Sequence, residues 1–262
     1  MAERPEYLHT WIGSSDPDHI RVGGLDLATE VMGHLSLTEL AFFLTTRRRA
    51  DDAERRLLDA VLVSLADHGL TPSALSARLT YTGAPEAVQG AIAAGLLGAG
   101  SVFLGPAGDT AIFLADALAS RGLDATASDD ELRDLAAQSV DACRASGSRV
   151  PGLGHPLHKQ QDPRTARLFE LARTDGLLGP HLRLLGLVGV VHEEITGRHL
   201  PVNGAGAGGA VLVDVGVPPT SVRGFVLIAR TAGLVAHLAE EVQAPIGHRL
   251  YAEVEHRASN PA

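Results

Sequence analysis

Apolar residues recur at helical spacing along most of this chain, and that period limits what it can fold into. In residues 54–66 the apolar positions are Leu57, Leu58, Val61, Leu62 and Leu65. This spacing draws one stripe on an α-helix, whereas a half-buried strand would alternate. Ser36 followed by Glu39 has the form of a capping box and opens a helix through residue 44. Pro85 and Glu86 start another, reaching residue 99. Helical periods continue over 110–120, 129–144, 165–174, 180–196, 207–215 and 221–241, with Ser146 and Gly147 as a stop signal. Extended pieces are confined to 149–150 and 200–203. Aromatic residues make up 4% of the chain, too few for a β-sandwich, while 45% is hydrophobic, enough for a packed core. The expected fold class is all-α, with about ten helices.

Residues 1–24 contain Pro5, Gly13, Pro17, Gly23 and Gly24 and read as an irregular segment. Residues 25–251 read as one helical unit and 252–262 as a C-terminal tail. Three stretches, 105–109, 151–164 and 203–209, are rich in glycine and polar groups and read as loops on a helical scaffold, where binding residues tend to sit.

The net charge of −9 leaves no electrostatic footprint for nucleic acid, and Arg47, Arg48 and Arg49 read as a solvated helix end. With Cys143 as the single cysteine, no intramolecular disulfide can form, which fits a reducing compartment. The N-terminus lacks a signal peptide's apolar region, and no apolar run reaches the roughly 18 residues of a membrane span. The expected setting is cytoplasmic, without membrane or nucleic-acid partners.

Four segments can carry chemistry. In residues 151–164, Gly152, Gly154, Pro156 and Pro163 break regular structure around His155, His158, Lys159, Asp162 and Arg164. Arginine forks two hydrogen bonds onto a carboxylate, and histidine donates to an oxygen or exchanges a proton near neutral pH. The plain alternative is a surface loop in which Asp162 caps the next helix. His68 follows an amphipathic stretch and precedes Gly69, where a histidine suits a helix C-terminus. Residues 203–209 contain a G-x-G-x-x-G pattern, but no strand precedes it and no acidic residue follows about 20 positions on, so a nicotinamide site is disfavoured. Close backbone approach explains these glycines better. Arg230 interrupts an apolar helix, and a buried arginine needs an anion, either internal or from a ligand. The twelve histidines are scattered without metal-ligand spacing, so no metal site is expected.

Read in order, these segments resemble the citrate synthase superfamily, and within it the short citryl-CoA lyase-like proteins. Residues 35–44 look like an early family helix, Asp67 with His68 like its D-H segment, and 151–155 with 162–164 like its P-G-x-G-H and D-P-R. Residues 200–203 and 229–233 look like the P-N and A-R-T-x-G segments, so the resemblance spans about residues 20–251. It implies a large helical domain with a smaller helical subdomain (residues 105–220), a homodimer, and an acyl-CoA and a carboxylic acid as small-molecule partners. It implies no permanently bound cofactor, coenzyme A entering as a thioester substrate. His68, His155, Arg164, Arg230 and Asn203 would hold the oxyacid, with His68 and His155 also catalytic.

The departures matter equally. Gly108 stands where the family has the histidine that stabilises a thioester enolate, and Ala205 where it has the aspartate that removes the α-proton. Ile246 stands at the usual second-subunit arginine, with Arg249 nearby. The expected function is a carbon–carbon lyase, ligase or acyltransferase acting on a CoA thioester and a hydroxy or oxo acid, with altered chemistry. In cleavage, His155 would accept the hydroxyl proton. Asp109 would either replace the lost acid or base or merely cap a helix. The alternative is a non-catalytic relative that binds CoA or an organic acid as a sensor or partner protein.

Overall fold

Helices dominate the computed structural model, which describes residues 9–259. The chain divides after Arg56 into two units, 1–56 and 57–262.

The first unit opens with a strand meander, β1 (Gly13–Ser15), β2 (Ile20–Val22) and β3 (Leu25–Asp26), antiparallel in that order. The expectation of an irregular segment over residues 1–24 is corrected here for residues 9–24, while residues 1–8 lie outside the described residues. Val22 pairs with Leu25 across Gly23 and Gly24, whose φ values are 59° and 83°. Two positive φ values in a two-residue loop suit the twist of a hairpin, so these glycines build a turn rather than break structure. The strands are too short to show a period of two. A π-helix (Leu27–Val31) leads to α1 (Leu37–Thr46), whose capping box is formed as expected, with Ser36 and Glu39 bonding each other's backbone. The arginines after it are engaged. Arg47 lies 5.2 Å from the Trp11 ring centroid, and Arg48 lies over Phe42 and pairs with Glu54 at 2.7 Å.

The second unit begins within α2 (Asp52–Leu65), where Leu57, Leu58, Val61, Leu62 and Leu65 are all buried, the stripe read from the sequence. Then follow α3 (Pro72–Gly83), α4 (Val88–Arg121), α5 (Asp129–Ser146), α6 (Pro163–Thr174), α7 (Pro180–Thr196), α8 (Gly204–Asp214), α9 (Val222–Gln243) and α10 (Gly247–Arg257). Helix α4 packs on α3, α8 and α9, α5 on α7, and α6 and α7 on α8. Helix α3 had no counterpart in the sequence reading, its apolar periodicity being weak. Helix α10 continues to Arg257, into the expected tail.

Two of the three expected loops are helical. Residues 105–109 lie inside α4, which bends at Gly100 (φ 53°, ψ −160°) and runs on through Pro106. Residues 204–209 form the first turns of α8. Small residues here serve close packing: a Cβ on Gly209 would meet the Ala107 carbonyl oxygen at 2.2 Å. Two helices, Val88–Arg121 and Pro219–Gln243, are long and apolar enough to cross a membrane by length and composition, contrary to the expectation that none would be. Both take part in the helix packing of this unit.

Candidate functional site

Residues 151–162 do form an irregular loop, and its frame explains its shape. Leu153 bridges Val202, the Gly154 N–H donates to the Pro201 carbonyl at 2.7 Å, and the Asn203 N–H donates to the Gly152 carbonyl at 2.9 Å. The stretch expected to be extended, 200–203, is the loop's partner. Gly152 and Gly154 take φ of 84° and 83°, which favours glycine. Asn203 holds the frame with both ends of its amide, Nδ2 donating to the Gly154 carbonyl and Oδ1 accepting from the Gly206 N–H to cap α8, which leaves one Nδ2 proton for a ligand.

Asp162, fully buried, organises the next layer. It caps α6, accepts from the Gly204 N–H at 2.8 Å, and takes a fork from Arg164 through Nε at 3.0 Å and NH2 at 2.7 Å. Burial alone would raise its pKa, but the Arg164 and Gly204 hydrogen bonds outweigh this and lower it to about 2. Gly204 permits the arrangement, because a Cβ there would meet Arg164 Nε at 2.5 Å.

His155 has a fixed direction. Its Nδ1 accepts from the N–H groups of Leu157 (3.2 Å) and His158 (3.0 Å), so a neutral ring carries its proton on Nε2. That nitrogen lies 3.5 Å from Arg164 NH2, too far for a hydrogen bond, as suits two donors side by side that face a common acceptor. Burial lowers the pKa of His155, opposed by Asp162 and reinforced by His158, Arg164 and His68. The ring stacks on His158 at 4.5 Å and lies 5.6 Å from the ring of the exposed His68. A neutral Nε2–H donates. Accepting a hydroxyl proton, the role the sequence suggested for His155, would cost it both amide hydrogen bonds.

Arg230 is 8% exposed on α9, and its Nε and NH1 are buried without a hydrogen-bond partner. The nearest anion, Asp67 Oδ1, is 3.8 Å from NH1, beyond hydrogen-bond reach. Burial lowers the Arg230 pKa, Asp67 opposes this, and Arg164 adds to it, so the two arginines sense each other's charge. Gly233, one turn along α9, lets the chain after α2 lie close, since a Cβ there would meet the Ala66 carbonyl oxygen at 2.1 Å. His68, His155, Arg164 and Arg230, expected together from the sequence, are thus neighbours, the first three by the distances given and Arg230 through the charge it shares with Arg164.

Asp109 is not joined to this group. It is exposed in mid-helix, so it does not cap α4, while its buried neighbour Thr110 is the residue that faces the loop, 3.0 Å from where a Gly152 Cβ would lie. Gly108 is buried, with room for a Cβ in ordinary contact with Arg223 at 3.4 Å, and Ala205 is half-buried beside Gly204. The sequence assigns Asp67 no role beyond its place in the D-H segment, does not single out Thr110, and places no metal ligands. His155, His158 and Asp162 do bring ligand atoms within 4.8 Å of one another. Their fit to a metal is poor: both Asp162 oxygens serve Arg164, and His155 Nδ1 serves two amides. Separately, a cavity of about 640 Å³ lies along α6 and α7, lined by Phe169, Arg173, Val190, His199 and Val202 among others.

The sequence matches the citrate synthase C-terminal domain family over residues 19–258. The chain belongs to the citrate synthase family. Within that family's fold it is similar to citryl-CoA lyase from Hydrogenobacter thermophilus, with 28% identity, a TM-score of 0.85, and 98% of this chain and 95% of that one covered. Methanosaeta concilii ATP citrate lyase, solved with (3S)-citryl-CoA, shares the fold at 20% identity and a TM-score of 0.76. There 99% of this chain is covered but only 42% of the lyase. Citrate synthase from Thermoplasma acidophilum matches at 18% identity and a TM-score of 0.62, over 80% of this chain and 54% of that one. No curated protein matches the sequence significantly.

Proposed function

We propose that this protein is a carbon–carbon lyase acting on the CoA thioester of a hydroxy tricarboxylic acid, with chemistry altered from that of citrate synthase. One observation carries the reading: buried Arg230 has donors without partners, beside Arg164 and the directed Nε2–H of His155. A buried guanidinium in this state suits a ligand carboxylate. Arg230 and Arg164 bind carboxylates, and His155 donates to the hydroxyl oxygen that becomes a carbonyl.

With His155 donating, His68 is the nearby imidazole for the hydroxyl proton. On cleavage the O–H proton passes to the base, the oxygen forms a carbonyl, and the electrons of the broken carbon–carbon bond go to the thioester enolate. That enolate then takes a proton to become the free acyl-CoA. Gly108 and Ala205 offer neither an imidazole nor a carboxylate for that last step, so it falls to water, and the proton held by His68 neutralises the hydroxide that water leaves. The groove along α6 and α7 has room for the nucleotide arm of coenzyme A, with Arg173 at its edge. Homodimerisation forms part of the proposal: α4 exposes Leu97, Val102 and Phe103 at 82%, 76% and 51%.

Incubation with citryl-CoA, with acetyl-CoA and oxaloacetate measured by chromatography, tests the reading. Appearance of both products, lost in Arg230→Leu, is the expected result. A second reading, binding without turnover, is favoured by the same Gly108 and Ala205, and tight citrate binding without product would select it.

A further inference from the structure

A chain of hydrogen bonds anchored on a buried arginine leads to the half-exposed Asp67 beside the arginine site, and the mechanism above does not use it. Arg78, 1% exposed, donates from NH1 to Glu241 at 2.9 Å and also bonds Glu240. Glu241 in turn accepts the N–H groups of Ile246 and Gly247 at the start of α10. The remaining Arg78 donors point at His237 Nδ1, Nε at 3.2 Å and NH2 at 3.0 Å. A guanidinium only donates, so His237 Nδ1 must accept and the ring proton sits on Nε2. That proton goes to Asp67 Oδ1 at 2.8 Å, while Asp67 Oδ2 accepts from the Gly69 N–H at 2.8 Å. Arg230, Gly233 and His237 fall on one stripe of α9, facing the segment that carries Asp67 and His68.

The Asp67 oxygen held by His237 is also the one nearest Arg230, and it stops 3.8 Å from NH1. A carboxylate so close to a buried, unfilled guanidinium would ordinarily close the gap into a direct pair. The bonds from His237 and Gly69 use its two oxygens and keep it back. We infer that His237 is a positioning residue: fixed by Arg78, it restrains Asp67 from collapsing onto Arg230 and so leaves Arg230 open for a ligand carboxylate. This inference rests on the carboxylate-binding reading of the same site. It makes Asp67 an internal competitor for the arginine, held off by a histidine that touches no substrate.

The test uses His237→Leu, which removes both hydrogen bonds, and His237→Gln, whose amide can accept from Arg78 and donate to Asp67. A third variant combines His237→Leu with Asp67→Asn. Citrate affinity by calorimetry is expected to fall at least tenfold in His237→Leu, to return in His237→Gln, and to recover substantially in the double variant, because a neutral side chain cannot compete for Arg230. A merely structural role would leave the double variant as weak as His237→Leu or weaker, and that result overturns the inference. Amide hydrogen exchange of residues 66–71 provides a readout without ligand. Exchange unchanged in His237→Leu also overturns it. If the wild type binds no citrate, yet exchange responds to His237→Leu and recovers with His237→Gln, the carboxylate reading fails while the restraint on Asp67 stands.

Discussion

At the scale of single residues, Arg230 is decisive because its burial and its unfilled donors conflict unless an anion arrives. Replacing it by leucine is expected to weaken citrate binding by roughly 10- to 100-fold or more, as expected for lost hydrogen bonds to charged groups. The sequence made this residue visible, since an arginine amid Ile228, Ala229, Ala232 and Leu234 stands out from an apolar run. The tautomer of His155 was not visible, because two backbone N–H groups of its own loop set it. A bound anion near His155 opposes the burial and the cations that lower its pKa. Binding of malate is therefore expected to take up protons, and affinity to rise as pH falls from neutrality toward the depressed pKa of the free protein. Calorimetry in buffers of different ionisation enthalpy reads that uptake. Asp162 sets a second pH dependence. Its folded pKa of about 2 lies below its ordinary 3.8, so its stabilising contribution is complete above that ordinary value and is lost as pH falls between the two. In Asp162→Asn this part of the acid unfolding profile should vanish, which circular dichroism against pH would show.

At the scale of elements, hydrophobic period and capping were legible and glycine was ambiguous. The stripe of α2 and the capping box of α1 were formed where expected, because both depend on local spacing. Residues 105–109 and 203–209 looked like loops because glycine and proline break helices in isolation. In the fold these small residues sit where α4 meets α8, and the gain from that contact outweighs their low helix propensity. Gly209→Ala is accordingly expected to destabilise by about 1–3 kcal/mol through overlap with the Ala107 carbonyl, measurable by denaturant unfolding. Ser36→Ala should cost only about 1 kcal/mol, the usual value of a lost cap. The short strands β1, β2 and β3 escaped notice because two or three residues cannot display alternation.

At the scale of the whole molecule, membership of the citrate synthase family and the all-helical fold were legible from the order of several weak motifs, none decisive alone. The proposed alteration of chemistry rests on Gly108 and Ala205 standing at the positions of the family's histidine and aspartate, since neither side chain can steady an enolate or take a proton. Condensation of acetyl-CoA with oxaloacetate should therefore run several orders of magnitude below a citrate synthase, and the acetyl protons should not exchange with deuterated water. Mass spectrometry of recovered acetyl-CoA checks the exchange. The central claim is that the carboxylate half of the site is intact. Calorimetric titration of citrate into the wild type and into Arg230→Leu tests it most directly. Saturable binding by the wild type that is largely lost in the variant is the expected result, whereas no binding by the wild type, or equal binding by both, would contradict it.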